Sequence, residues 1–384
     1  MQYRKYGKLD YEVSALGLGC MRLPRTVKED GTATVDREKA YELIRYAADN
    51  GINYFDTAFT YHNMDSEAVL GEALEGERRK KVKIATKQPF AVMKTQDDIR
   101  RNLESTLKKL RTDYIDVYLV HNIQQGTWDE IQKRKIYEEY EKFRAEGMIK
   151  AIAFSYHGQF ETFKDVLQAY PWDMCQVQQN MLDVNNEVTT EGIKIAGEQG
   201  TSLVIMEPLR GGGLATAPKP VQKIYDNVDK NRSAAEWAFR YLLDYPEVSC
   251  ILSGMTTLEQ LKENIETFSK PDAVPGCLSG QEKDVIAKAR DAYQALVAVP
   301  CTACEYCLPC PQNVAIPSIF NLYNDGKRFE TFMQPQRSYM FTTRAGRDAS
   351  QCIECGACEA QCPQKIEIVK QLKEAHEHLK GWAE

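Results

Sequence analysis

The stretch Gly51-Ile52-Asn53-Tyr54-Phe55-Asp56-Thr57-Ala58-Phe59-Thr60-Tyr61 decides how the rest of the chain is read. Asn53-Tyr-Phe-Asp56 reads as a short apolar strand ending on a carboxylate, and Tyr61 follows five residues later on the outgoing loop. Two further runs end in the same manner. Val82-Lys-Ile-Ala-Thr-Lys87 closes on a lysine and Asp116-Val-Tyr-Leu-Val-His121 on a histidine. If the three strands run parallel in one barrel, their C-terminal ends bring Asp56, Tyr61, Lys87 and His121 to a single face. A phenol titrates near 10, and a neighbouring ammonium favours its ionised form, bringing the proton within reach at neutral pH. Lys87 is placed to do this for Tyr61, Asp56 to hold Lys87, and a neutral His121 to hydrogen-bond a carbonyl oxygen.

Outward from this stretch the chain alternates strand and helix, the pattern of a parallel α/β architecture. Strands are predicted at 16–20, 53–57, 82–87, 116–120, 149–154, 173–178, 202–206 and 249–253. Helices are predicted at 36–50, 66–74, 97–110, 131–146, 160–169, 187–199, 233–245 and 257–268. Eight of each close a (β/α)8 TIM barrel with right-handed crossovers, whereas an open doubly wound sheet needs a reversal of direction that is not found. Residues 1–15 are predicted to form a hairpin turning at Gly7-Lys8 and closing the barrel bottom. Gly17 and Gly19 make no phosphate-binding fingerprint, because no third glycine opens a helix behind them.

Asp56, Tyr61, Lys87 and His121, each at its strand end, resemble the catalytic tetrad of the aldo-keto reductases, over a span from about Tyr3 to Phe268. The resemblance implies a nicotinamide dinucleotide bound without a Rossmann fold, and an NAD(P)-dependent oxidoreductase interconverting a carbonyl and an alcohol by hydride transfer. It further implies that Ser155, Gln176 and Asn180 hold the nicotinamide carboxamide. At strand seven, Met206-Glu-Pro208-Leu209 stands where family members place an aromatic ring before Ser-Pro-Leu, so Met206 is expected to cover the ring. Arg210 and Gly211 then open a loop offering a cation and backbone donors to a pyrophosphate. At strand eight, Asn264 matches the adenine contact, while Gly254 and Gln260 stand where many members hold the NADP 2′-phosphate with a lysine and an arginine. Without those cations NADP preference is in doubt, and NAD is at least an equal expectation.

Hydrophobic content of 43% and charged content of 27% are those of a globular protein. No apolar run approaches the roughly 20 residues of a membrane span, and the first residues lack a signal-peptide core, so no membrane association and a cytoplasmic location are expected. A net charge of −6 argues against nucleic acid as partner.

The 12 cysteines carry the other message. Cys301, Cys304, Cys307 and Cys310 precede Pro311, and Cys352, Cys355, Cys358 and Cys362 precede Pro363. The second set has the bacterial ferredoxin spacing and the first is one residue shorter before its last cysteine. Zinc is the competing reading, but four cysteines within ten residues suit a cluster better than paired zinc knuckles. By the exchange seen in two-cluster ferredoxins, Cys301, Cys304, Cys307 and Cys362 should hold one [4Fe–4S] cluster, and Cys352, Cys355, Cys358 and Cys310 the other. This part resembles a two-cluster ferredoxin-like domain, and the combination resembles a branch of aldo-keto reductases with such a tail.

Three parts are therefore expected: a barrel over 1–270, a linker and connecting helix over 271–299, and the iron–sulfur domain over 300–384. Hydride transfer moves two electrons and a cluster normally carries one, so a mediator is required between nicotinamide and cluster. A flavin stays open in that role, although no flavin-specific motif is present, and a structural or redox-sensing role for the clusters stands beside electron transfer to a ferredoxin partner. The rival reading is an electron-transfer subunit whose barrel docks a ferredoxin or other redox partner. His62, Trp128 and Arg210 are the side chains that would suit a polar or anionic small-molecule substrate.

Overall fold

The computed structural model describes residues 1–27 and 32–381. They pack into two compact units, Met1–Arg210 with Glu236–Ser279, and Gly211–Ala235 with Gly280 onward. Residues 211–235 thus group with the C-terminal residues, although in sequence they fall inside the 1–270 span read as barrel. Within the second unit the reason is local: Arg232 pairs with Glu282 at 2.6 Å, and the Phe329 ring lies so close to Gly213 that any Cβ there would clash with it at 2.9 Å.

Twelve strands are described: β1 (Tyr3–Lys5), β2 (Glu12–Ser14), β3 (Leu16–Gly19), β4 (Arg25–Val27), β5 (Ala33–Val35), β6 (Tyr54–Asp56), β7 (Lys83–Pro89), β8 (Ile115–Ile123), β9 (Ile149–Tyr156), β10 (Met174–Gln178), β11 (Ser202–Met206) and β12 (Val248–Ser253). Eight of them, in the order β3-β6-β7-β8-β9-β10-β11-β12, close a parallel barrel when β12 pairs back on β3. Each matches one of the eight strands read from the sequence. The interior is filled by Tyr54, Ala85, Val117, Leu119, Ala151, Ala153, Met174, Val204, Cys250 and Leu252. It is a packed core, as barrels of this type require. The expected hairpin forms from β1 and β2, and its Tyr6 and Val13 join that core.

Helix starts follow capping chemistry. Asp36 accepts from the backbone N–H of Lys39 ahead of Arg37–Asp49, and reciprocal capping boxes open Gln96–Leu110 (Thr95 with Asp98) and Leu258–Ser269 (Thr257 with Gln260). Acidic residues at strand starts serve the fold. Asp116 accepts from the N–H of Ile84 at 3.0 Å and pairs with Arg79 at 2.9 Å, and Asp173 does the same with Ile152 at 2.8 Å and Arg144 at 3.0 Å. Among the described residues no helix is long and apolar enough to cross a membrane.

The second unit has its own core of Val299, Val314, Ile316, Ile319, Phe320, Tyr323, Tyr339, Ile366, Ile368, Leu372 and Leu379. It is built on an internal repeat. Cys310-Pro-Gln-Asn-Val-Ala-Ile316 and Cys362-Pro-Gln-Lys-Ile-Glu-Ile368 each lead into a helix, Ile316–Arg328 and Ile368–Leu379. Left-handed backbone recurs at equivalent places in the two halves, Ala303 with Glu354, Glu305 with Gly356, and Asn313 with Lys365. Both cysteine loops therefore wrap in the same way.

Candidate active site

Asp56 ends β6, Lys87 lies two residues before the end of β7, His121 lies near the end of β8, and Tyr61 stands on the loop leaving β6. The Lys87 ammonium donates to Asp56 Oδ1 at 2.6 Å, to the Thr57 carbonyl at 2.8 Å and to Tyr61 Oη at 3.5 Å. Those three acceptors use all three of its hydrogens. The His121 ring meets the Tyr61 ring edge-on, with centroids 6.1 Å apart. Asp56 and Lys87 are buried, whereas Tyr61 and His121 reach partial exposure. The charged pair thus lies beneath the two groups that a bound molecule would meet.

Burial raises the Asp56 carboxyl above the usual carboxylate range, with Lys87 pulling against it. Burial works to lower the Lys87 ammonium, but the charges of Asp56 and Tyr61 outweigh it and hold the amine above its ordinary value. For Tyr61 burial dominates, so the phenol ends above its usual value despite Lys87. This departs from the expectation that the ammonium alone brings the phenol down. Desolvation of an ionised phenol is the larger effect when the site is this enclosed. His121 is pushed down to about 3 by burial, then by Lys87 and His157, and is neutral at physiological pH.

The loop after Tyr61 is unusual. His62, Asn63 and Met64 all have left-handed backbone although none is glycine. The loop is held by side chains: His62 Nε2 donates to the Cys20 carbonyl at 3.1 Å, its Nδ1 accepts from Arg25 at 3.3 Å, and Ser66 Oγ donates to the same carbonyl at 3.2 Å.

The residues expected around a nicotinamide sit on three adjacent strands. Gln176 of β10 is in register with Ser155 of β9, and Gln178 with Met206 of β11. Gln176 Oε1 is buried without a hydrogen-bond partner, and Ser155 Oγ accepts from Asn122 N at 2.7 Å, which leaves its own hydrogen to donate. A carboxamide supplies the donor and the acceptor these two atoms lack, so the residues fit the group. Asn180 is differently used: its amide nitrogen donates to Asp183 and to the Glu207 carbonyl, and its oxygen accepts from the N–H groups of Leu182 and Asp183. Arg210 pairs with Asp183 at 2.6 Å. Pro208 is buried, Leu209 is half-buried, and Gly211 has a φ of +66°.

Beyond β12, Asn264 donates to Ser253 Oγ at 3.1 Å. The Gln260 side chain accepts from Thr257 N at 3.4 Å in its capping box and from Thr256 N at 2.9 Å, and the alkyl stem of Arg22 lies across Gly254. The sequence reading missed the Thr57 carbonyl, which no side-chain pattern announces, and His157, which pairs with Glu187 at 3.4 Å. A histidine directly after the Ser155-Tyr156 strand end was the available signal for the latter.

In the second unit the eight cysteines line two hollows. Cys301, Cys304, Cys307 and Cys362 surround one; Cys310, Cys352, Cys355 and Cys358, with Cys307 again, surround the other. The thiols crowd one another: burial, aided by Cys304 and Cys362, raises Cys301, while burial and then the neighbouring Cys301, Cys304 and Cys362 thiols raise Cys307. Cys358 is pushed up to about 11 by burial, with Glu359 and Cys352 adding to it. Such sets ionise readily only against a positive centre, and this donor chemistry fits an iron–sulfur cluster in each hollow. Cys304 and Cys355, one for each hollow, are exposed.

The aldo/keto reductase family model matches residues 15–273, and a 4Fe-4S dicluster domain model matches residues 300–367. The uncharacterized oxidoreductase YqkF of Bacillus subtilis is 27% identical over 300 residues, covering 69% of this chain and 90% of its own. A probable aldo-keto reductase 1 of Glycine max is 26% identical over 297 residues, covering 68% and 82%. Among solved structures, the holo form of aldo-keto reductase AKR11C1 from Bacillus halodurans is 27% identical with a TM-score of 0.62, covering 75% of this chain and 96% of its own. An aldo-keto reductase from Klebsiella pneumoniae, solved in complex with NADPH, shares the fold at 20% identity and a TM-score of 0.61, covering 75% and 94%. The family match spans well over half of the chain, and the protein is therefore a member of the aldo/keto reductase family of oxidoreductases, with a 4Fe-4S dicluster domain at its C-terminal end.

Proposed function

We propose that the protein is an NAD(P)(H)-dependent oxidoreductase that interconverts an aldehyde or ketone and the matching alcohol. The observation that carries this is the saturation of the Lys87 ammonium by Asp56, the Thr57 carbonyl and the Tyr61 phenol at the C-terminal ends of the barrel strands. Barrels of this kind place their chemistry at that face. When bound, a nicotinamide supplies or accepts the hydride.

The chain's own residues handle the proton. Lys87, kept charged by Asp56, fixes the Tyr61 hydroxyl, whose raised pKa keeps it protonated at neutral pH and ready to donate to a carbonyl oxygen. The neutral His121 donates a hydrogen bond to that oxygen without adding a charge. Ser155 and Gln176 hold the carboxamide, Met206 covers the ring with a polarisable thioether, and Asn264 meets the adenosine half. Asn180 and Arg210 contribute by holding the loop after β10, each through Asp183.

The eight cysteines hold two [4Fe–4S] clusters, which supply one-electron carriage when present. An exposed ligand at each hollow supports an electron-transfer role with a redox partner, because a buried structural cluster needs no ligand at the surface.

Tyr61→Phe tests the reading. Carbonyl-dependent NAD(P)H consumption should fall about 10²–10⁴-fold, the usual contribution of a positioned acid. Dinucleotide affinity by fluorescence titration should stay within about twofold on the same argument. Wild-type turnover in that variant removes Tyr61 from the mechanism.

A further inference from the structure

The side chains read as suiting a polar substrate are engaged elsewhere: Arg210 with Asp183, His62 with Cys20 and Arg25, and Trp128 in the core. The unclaimed surface lies in the second unit, where the two cysteine hollows differ at their mouths. Besides Cys304, the exposed residues lining the first hollow are polar: Thr302, Glu305 and Gln364. Those lining the second include Tyr306 and Ile353, 66% and 61% exposed, and the exposed Cys355. Tyr306 comes from the first cysteine motif and Ile353 from the second, so two loops bring two large apolar side chains to one rim. Single exposed apolar residues are ordinary, but a patch converging on one exposed ligand marks a contact surface.

The flank of this second hollow is basic. From Thr331 to Arg347 the chain holds three arginines and no acid, in a protein whose net charge is −6. In the helix Met333–Arg344, Pro335 and Tyr339 are buried, while Met333, Arg337, Phe341 and Arg344, at helical spacing, are exposed along one face. Arg347 ties this segment to the second hollow: its carbonyl accepts from the Ala315 N–H at 2.9 Å, and the preceding Val314 lines the second hollow and not the first. The ion pairs of this region engage Arg328, Lys370, Lys373 and Lys380, and leave Arg337 and Arg347 without a carboxylate among the described residues. Among those residues no acidic side chain lines the second hollow either, whereas Glu305 lines the first.

We propose that the mouth of the second hollow is the docking surface for a small acidic electron-carrier protein, seated on Tyr306 and Ile353 and steered by Arg337 and Arg347. This rests on the electron-transfer reading of the cysteine unit above, and it names which hollow meets the partner and the charge that partner carries. Electron-transfer encounters bury little surface, so a compact apolar contact flanked by complementary charge is enough to form one. An acidic surface meets Glu305 at the first hollow and no acid at the second, which selects between them. One electron passes between the carrier and the cluster held by Cys310, Cys352, Cys355 and Cys358; one is oxidised as the other is reduced, and no bond forms or breaks.

The test is anaerobic stopped-flow reduction of the oxidised, cluster-loaded full chain, followed by loss of visible absorbance, with two reductants. Dithionite is small and needs no docking surface; a reduced plant-type [2Fe–2S] ferredoxin serves as the acidic carrier. The wild-type rate with ferredoxin should fall as salt is raised. In Arg337→Glu/Arg347→Glu it should fall about tenfold or more at low salt and lose that salt dependence, the scale of lost steering. Tyr306→Ser/Ile353→Ser should lower the rate and weaken ferredoxin binding by calorimetry, while both pairs leave the dithionite rate within about twofold of wild type. Thr302→Glu/Gln364→Glu, at the first hollow, should leave the ferredoxin rate unchanged. A fall confined to that last pair moves the docking surface to the first hollow and overturns the proposal. Equal falls with both reductants place the damage in the cluster and overturn the docking assignment, and a ferredoxin rate indifferent to salt and to every pair overturns the acidic-partner chemistry. Clusters that accept electrons from neither reductant overturn the electron-transfer reading, and this inference with it.

Discussion

The Lys87 ammonium lies 2.6 Å from Asp56 Oδ1 with both side chains nearly sealed from water. A buried pair of this kind need not add net stability, but removing one partner strands the other charge and typically costs about 3–5 kcal/mol. Asp56→Asn keeps the shape and loses the charge, so urea unfolding should report a loss of that order, together with a steep fall in turnover. The double variant Asp56→Asn/Lys87→Met should regain part of the stability and none of the activity. Equal stability in the single and double variants would show that Lys87 does not depend on Asp56 for its charge.

The pH profile follows from the directions of the shifts. His121 titrates at about 3, far below its ordinary range, so no limb near pH 6.5 should appear in kcat/KM for carbonyl reduction. The acid form of Tyr61 is present below its pKa, which is raised, so the reduction rate should be flat from about pH 5 to 9 and fall only above that. Alcohol oxidation needs the ionised phenol and should climb with pH, by up to about tenfold per unit. A reduction profile that falls across pH 6 to 7 would mean that His121 is charged in the resting protein.

Much of this was legible because catalytic residues on a barrel sit at strand ends, and a strand end is readable where an apolar run stops on a polar side chain. Asp56, Lys87 and His121 are of that type. Asp116 and Asp173 show the limit of the rule, since they lie at strand starts and serve the fold through Arg79 and Arg144. What the sequence hid are pairings made between loops. Arg210 reads as a free cation for a pyrophosphate, yet Asp183, 27 residues earlier, meets it across the β10 and β11 exits. Asn180 reads as a carboxamide ligand, and its amide is consumed by Leu182 and Asp183 in its own turn and by the Glu207 carbonyl after β11. The left-handed run His62 to Met64 carries no glycine, so nothing local announced it. Its geometry is imposed by contacts with residues more than 30 positions away.

In the proposed oxidoreductase, cofactor preference is expected to turn on Gln260. Its side chain is engaged in capping Leu258–Ser269, and the Arg22 stem covers Gly254, so neither position supplies a cation of its own to a 2′-phosphate. NADH should bind at least as well as NADPH in fluorescence titrations. Gln260→Arg should shift the balance toward NADPH while losing part of the cap, worth about 1 kcal/mol of stability. An unchanged NADH to NADPH ratio in that variant would place the adenosine half away from this helix.

The cysteine hollows make the most discriminating prediction, because they divide the eight cysteines differently from the sequence order. Cys362 closes the hollow of Cys301, Cys304 and Cys307, and Cys310 joins that of Cys352, Cys355 and Cys358. Replacing the last cysteine of one sequence motif should therefore damage the cluster built mainly by the other. After anaerobic purification, Cys362→Ser and Cys304→Ser should share one altered electron paramagnetic resonance signal, and Cys310→Ser and Cys355→Ser a different one. Each variant should retain about four of about eight irons if the clusters load independently. The helices Ile316–Arg328 and Ile368–Leu379, which follow the two last cysteines at equal distance, carry the core that keeps the halves together, so loss of one cluster should not unfold the unit. A Cys362→Ser signal matching Cys355→Ser would mean that each motif closes on itself, and the exchanged arrangement would be wrong.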